Sequence, residues 1–281
     1  VLPSMGQLSA QAVAAATEHF GIRTSALPQA DRDALRLGRS ATTGKECLPM
    51  HVCLGSLLKY VRDQRKPGEK IIMFLPKAGG YCRLGQYHVF ARQVIREQRI
   101  RDVALITPAM EENFLAVGPK WSVLVWRALM VSDLMADIRS ALRALAVDRT
   151  EALEVFDEHW ERIIRALRDG GSARFHRALK SAAAALRGLP LTVDYERAPQ
   201  IEVTGEIVVR RDAFSNLGIV ERLAAKGFVV KVAPITEWVF YVNHLIRTKH
   251  LGSKFSLIGK IDFLVLNTAM RLMERRIKRI L

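Results

Sequence analysis

The feature that most limits the fold is an alternation of short apolar runs with helix-length amphipathic stretches. Lys70–Leu75 and Val103–Thr107 are continuous apolar runs between polar loops, the pattern of strands covered on both faces. Helical patterns surround them. Leu8–Phe20 is stopped by Gly21, and Asp31–Leu37 is short. The stretch from Pro49 to about Arg65 carries Val52, Leu54, Leu57, Leu58 and Val61 at helical spacing, and Gln86–Glu97 follows the first long run. Ile22–Leu27 reads as a further short strand. Such alternation predicts a mainly parallel α/β sheet over residues 1–118.

Residues 119–190 carry a different pattern. Trp121–Val147, Thr150–Arg168 and Ala173–Arg187 are helical throughout, the last two separated by Gly170 and Gly171. They predict a helical insertion or bridge with Trp126, Phe156 and Trp160 in its core. Residues 191–281 then predict a second, smaller α/β unit. Its elements are a strand over Ile201–Val209, a helix over Asn216–Ala225, a strand over Phe228–Val232 and a helix capped by Thr236. One long helix, Phe255–Leu281, closes the chain. The expected fold is therefore α/β, with two Rossmann-like parallel-sheet lobes, a helical insertion and a long C-terminal helix.

The formal charge of +15 is spread along the 281 residues. A basic surface attracts nucleic acid, anionic lipid, phosphorylated cofactors or acidic proteins. The absence of an Arg/Lys-rich arm, zinc-finger spacing or an aromatic RNA-binding motif argues against nucleic acid. No uninterrupted apolar run of roughly 18 residues occurs, so no membrane span is expected. No secretory leader is recognisable, and the opening Val1-Leu-Pro-Ser-Met-Gly6 reads as a strand end entering a loop, as in a piece of a longer polypeptide. The sequence lacks a phosphate-binding Gly-x-x-x-x-Gly-Lys-Ser/Thr loop, a strand-linked Gly-x-Gly-x-x-Gly and a Gly-x-Ser-x-Gly elbow, which argues against those three chemistries.

All three cysteines fall in one window: Cys47 in Gly44-Lys-Glu-Cys-Leu-Pro49, Cys53, and Cys82 in Gly79-Gly-Tyr-Cys-Arg-Leu-Gly-Gln-Tyr87. An odd number argues against a disulfide framework and suits a reducing cytoplasm. Two of them lie in strand-to-helix loops, which cluster at the carboxyl edge of an open α/β sheet. Three thiolates there suit an iron–sulfur cluster with one iron left open. Such an iron could meet the oxygen of a small reducible substrate. A Cys₃His zinc set from Cys47, His51, Cys53 and Cys82 is the alternative, although its spacing is not that of a standard zinc module.

The ordered motifs Val1–Gly6, Gly44–Pro49, Phe74-Leu-Pro76, Gly80–Tyr87, Gly205-Glu-Ile-Val-Val-Arg210 and Ala233-Pro-Ile-Thr-Glu-Trp238 resemble the 2-hydroxyacyl-CoA dehydratase family. They are most similar to the dehydratase-like domain attached to acyl-CoA dehydratase activases. The resemblance implies α/β lobes around a [4Fe-4S] cluster, or a sulfide-linked double-cubane cluster. It also implies reduction by an ATP-hydrolysing activase module and an acyl-CoA as substrate. Cys47 and Cys82 fall on the family's cysteine motifs, whereas Cys53 aligns with no specific ligand. Tyr81 departs from the proline common at its position.

Around the thiols, Glu46 is a candidate proton-handling group or helix cap. Arg83 is a candidate for neutralising a bound anion, and Gln86 and Tyr87 for hydrogen-bonding cluster sulfur or substrate. Glu206 and Arg210, at even spacing on the expected strand, are candidates for the interlobe cleft. An acidic electron donor would dock on the basic surface. The rival reading is a non-catalytic accessory or electron-relay domain, and the oligomeric state, dimer included, stays open.

Overall fold

The computed structural model describes residues 1–78, 82–109, 117–248 and 257–281, with backbone alone for 257–262. The chain is mixed α/β and predominantly helical. Its elements, in order, are α1 (Gln7–Glu18), α2 (Arg32–Ser40), α3 (Leu48–Asp63), β1 (Ile71–Phe74), α4 (Leu84–Glu97), β2 (Val103–Ile106), α5 (Pro119–Leu145), α6 (Arg149–Asp169) and α7 (Ser172–Arg187). They continue with β3 (Gln200–Val203), α8 (Ile207–Arg211), α9 (Ile219–Ala224), β4 (Val229–Val232), α10 (Ile235–Arg247) and α11 (Leu257–Lys278). No helix among the described residues is long and apolar enough to cross a membrane.

Two small parallel sheets form, β1 with β2 and β3 with β4. Ile71 stands opposite Val103 and Phe74 opposite Ile106. In the second sheet Gln200 stands opposite Val229 and Val203 opposite Val232. The expected strand at Ile22–Leu27 reduces to a bridge between Ala26 and Leu2, where the Leu27 N–H donates to the Leu2 carbonyl at 2.8 Å.

The first sheet corrects one expectation. Its strands are not covered on both faces, because Ile72 is 59 % and Ile106 43 % exposed. Ile71 and Met73 pack with Leu54 and Leu57 of α3 and Ala91 and Val94 of α4. On the other face Phe74 meets α5, its ring centroid 5.8 Å from that of Trp121. A second correction concerns Ile201–Val209. Strand β3 stops at Val203, and Gly205 turns the chain at φ 118°. The Glu206 carboxylate then accepts from the Val209 N–H at 2.8 Å and starts α8. Glu206 and Arg210 therefore sit one helical turn apart, not on a strand face. The β-branched run favoured a strand, but the cap next to a left-handed turn outweighs it.

Helix α3, which carries Cys47 and Cys53, is positioned by close backbone contact with α2. A Cβ on Gly38 would lie 1.9 Å from the His51 carbonyl oxygen, and one on Gly55 would lie 1.8 Å from that of Ala34. Only glycine permits this approach. Asp31 caps α2 by accepting from the Ala34 N–H at 2.8 Å.

The largest core cluster joins α1, α5, α6 and α7, with Met270 and Ile277 of α11. Phe156, Trp160 and Trp126 are buried in it, and full burial of a side chain such as Phe156 stabilises the fold by about 1.5–3 kcal/mol. Helix α5 packs on α1, α6, α9, α10, α11 and β4, so the helical segment bridges elements from both ends of the chain. One buried carboxylate fixes this arrangement. Asp133 of α5 accepts from the Thr236 N–H at 3.0 Å and its hydroxyl at 2.9 Å, and Arg211 Nη1 lies 2.9 Å from its other oxygen. Both charged side chains are only 5 % exposed. Arg211 also donates to Ser9 Oγ of α1 at 3.2 Å.

Removing one partner of a buried pair leaves an uncompensated charge, at a cost of about 3–5 kcal/mol. Asp133→Ala is expected to lose stability on that order in urea denaturation; a loss below about 1 kcal/mol would show that the carboxylate carries no such role.

Candidate functional site

The two cysteine loops meet at one rim of the first sheet. Cys47 is the N-cap of α3, with extended backbone at φ −74° and ψ 154° and Pro49 in the first turn. Its carbonyl accepts from the Met50 N–H at 3.0 Å. No acidic residue stands in the first turn of this 16-residue helix, so the positive end of the helix dipole faces the Cys47 loop without a neutralising side chain. Cys82 lies just ahead of α4 and is exposed. Two contacts join the loops. Arg83 Nη1 donates to the Lys45 carbonyl at 2.7 Å, and the Tyr87 hydroxyl lies 2.6 Å from Cys47 Sγ. Residues 79–81, including the expected Gly79-Gly80 turn and Tyr81, fall outside the described residues.

Tyr87 is buried. Burial first, and then its contact with Cys47, push the phenol far above its ordinary range. The hydroxyl therefore keeps its proton and donates to sulfur when Cys47 is a thiolate. Sequence reasoning named Tyr87 only as a secondary candidate; its place one turn into the helix after Cys82 is what aims it at Cys47.

Cys53 occupies a different environment. It is 7 % exposed and belongs to the core cluster of Leu54, Leu57, Met73 and Tyr87. Burial, followed by the charges of Glu206, Asp212 and Cys47, pushes its thiol up to about 12, so it is held as a neutral thiol. His51 is also buried, and its Nδ1 lies 3.0 Å from Thr42 Oγ1. Among the described residues no three His, Cys, Asp or Glu side chains converge as a metal-binding group. The chemistry of the donor set thus divides. The Cys47 and Cys82 loops touch through Arg83 and Tyr87, with Cys47 half-buried and Cys82 exposed, while Cys53 in its present seat offers no thiolate.

The other candidates fall around this rim. The Glu46 carboxylate turns back on its own loop and accepts from Thr43 Oγ1 at 2.9 Å. Burial acts to raise its carboxyl, but hydrogen bonds from its own backbone and from Thr43 outweigh this and hold it below the usual value. Gln86 is exposed on the first turn of α4. Glu206 is exposed at the start of α8, and its charge acts on both Cys53 and Tyr87. Arg210 points elsewhere, donating to the Gly205 carbonyl at 2.7 Å and the Pro234 carbonyl at 3.1 Å. An apolar cavity of 120 Å³ opens between the carboxyl end of β1 and the second unit, lined in part by Leu2, Phe74, Pro76, Trp121, Ile207 and Ile235.

No protein-family model, curated protein or solved structure matches this chain.

These environments predict different thiol reactivity. At pH 8 an aromatic disulfide reagent is expected to label Cys82 rapidly in the metal-free protein and to label Cys53 only after unfolding. Peptide mapping of the labelled sites checks this, and labelling of Cys53 at the rate of Cys82 would contradict the buried placement.

Proposed function

We propose that this chain is an iron–sulfur protein of the 2-hydroxyacyl-CoA dehydratase and activase type, built as two Rossmann-like lobes. It would receive an electron from an ATP-hydrolysing activase module or an acidic donor and pass it to an acyl-CoA or another small substrate. The reading is carried by the meeting of two motif-bearing loops, which the Arg83–Lys45 and Tyr87–Cys47 contacts hold together across the sheet rim. The ordered motifs along the chain support it from the sequence side.

In this reading Cys47 and Cys82 would supply two of the four ligands that a [4Fe-4S] cluster takes, and Cys53 remains a packing thiol behind them. When bound, such a cluster supplies a low-potential electron. The protein's own groups have separate tasks. Tyr87 donates its hydroxyl proton in a hydrogen bond to the Cys47 sulfur, and the N-terminus of α3 offsets negative charge beside it. Arg83 latches the second loop to the first. Glu46 is engaged with Thr43 and shapes the loop. Glu206 caps α8 and places a negative charge from the second unit near Cys53 and Tyr87. The cavity beside Phe74 and Ile207 is lined by apolar side chains and suits the apolar part of a substrate.

Protein purified without oxygen is expected to be brown and to hold about four irons with matching acid-labile sulfide. Cys47→Ser and Cys82→Ser lose most of the iron, whereas Cys53→Ala keeps it. A colourless protein with stoichiometric zinc, or iron loss in Cys53→Ala alone, would overturn the assignment.

A further inference from the structure

A second cavity, of 230 Å³, lies on the other side of Ser9 from the apolar one. It sits between the start of α1, the middle of α5, and α8 with the turn that follows it. At about 30 Å³ per water it has room for roughly eight waters. Its walls are charged. Arg139, Arg143, Arg210 and Arg211 face it together with Asp137, Asp212 and Glu221.

Most of these charges already have partners. Arg143 pairs with Glu221 at 2.6 Å, Arg139 with Asp157 at 3.4 Å and Arg211 with Asp133 at 2.9 Å. Arg210 has none among the described ion pairs. Three lining side chains also carry a buried polar atom without a hydrogen-bond partner: Arg139 Nε, Arg210 Nε and Asp212 Oδ1. Asp212 is only 1 % exposed. Its other carboxylate oxygen accepts from the Ser215 N–H at 2.9 Å and hydroxyl at 2.6 Å, so the side chain is fixed in place while Oδ1 is unmatched. Buried polar atoms of this kind cost about 1–3 kcal/mol each unless something satisfies them.

The cavity floor adds donors. Helix α1 begins at Gly6, with no side-chain cap and no acidic residue in its first turn. The first N–H groups of a helix have no intrahelical acceptor, and at Gly6, with φ 90°, an added Cβ would lie 3.3 Å from the Arg211 carbonyl oxygen, so α8 packs closely on this end of α1. The unmet needs are thus of two kinds. The α1 terminus and two guanidinium Nε–H groups require acceptors, and Asp212 Oδ1 requires a donor.

We infer that this cavity is a binding site for a compact zwitterion, an amino acid or closely related amino-carboxylate. Its carboxylate lies toward the α1 N-terminus and Arg210, and its ammonium toward Asp212 and Asp137. Ammonium fits better than hydroxyl because Asp137 and Asp212, two lining carboxylates without a described ion pair, face the same space. Burial, and next the Asp133 carboxylate, push the Asp137 carboxyl up to about 6 despite the opposing charges of Arg211 and Lys231, and a further cation beside it would stabilise the ionised form. The site is built from α1, α5 and α8 and is independent of the cysteine chemistry, so it stands or falls separately.

The test is calorimetric titration of the protein, whatever its iron content, with a panel of L-amino acids. Acetate, lactate and ethanolamine serve as controls, each lacking one of the two charges. At least one amino acid is expected to bind about tenfold or more tightly than all three controls. Asp137→Asn, whose amide oxygen can still accept the Val232 N–H, should weaken the amino acid by a similar factor and leave acetate unaffected. Arg210→Lys should weaken both. Failure of every amino acid to bind overturns the proposal, as does equal binding of acetate or lactate in wild type. The wild-type comparison decides the matter even if a variant misfolds.

Discussion

A single carboxylate with almost no access to water holds the halves of this protein in register. Asp133 stands mid-way along α5 and engages Thr236 at the start of α10 and Arg211 at the end of α8. Arg211 in turn reaches Ser9 on α1. Helix α8 is only five residues long, too short to persist without tertiary anchors. Its seat therefore depends on this pair and on the Glu206 cap. Because α8 places Glu206 near the thiols and Arg210 and Asp212 in the charged cavity wall, both proposed sites inherit their geometry from one buried ion pair. Such pairs rarely add net stability over an apolar replacement; here the pair fixes which elements meet.

Much of the architecture was readable from punctuation and periodicity. Gly21, Gly170 and Gly227 mark helix stops, and each has positive φ. The three central helices were visible because their apolar positions repeat at helical spacing over long spans, where the pattern averages out local exceptions. Trp126, Phe156 and Trp160 lie in the core as their placement on those faces predicted. The strands were harder to read. A four-residue apolar run looks the same whether one face or two are covered, and the bare face at Ile72 is set by which helices pack there, information that lies far along the chain. Residues 201–209 misled for a related reason: Ile207, Val208 and Val209 favour a strand locally, while the capping hydrogen bond to Glu206 is decided by the turn at Gly205.

At the cysteines, sequence proximity proved a poor guide to spatial role. Cys47 and Cys53 are close in sequence but lie at the mouth and in the buried stretch of one helix. Cys82, much further along, joins Cys47 through its neighbours Arg83 and Tyr87. The loops were recognisable from their glycines and from their position ahead of helices. The burial of Cys53 depends on packing by β1 and α4, which no local motif records. The charged cavity was not foreseen, since its walls come from three helices distant in sequence. Arg210 was read, with Glu206, only as a candidate for the interlobe cleft.

The central claim is that Cys47 and Cys82 hold a redox-active cluster. Electron paramagnetic resonance of anaerobically purified, dithionite-reduced protein addresses it most directly. The account predicts the low-temperature signal of a reduced iron–sulfur cluster that survives in Cys53→Ala and vanishes in Cys47→Ser. A spectrum without such a signal, from protein carrying its full complement of another metal, would contradict it.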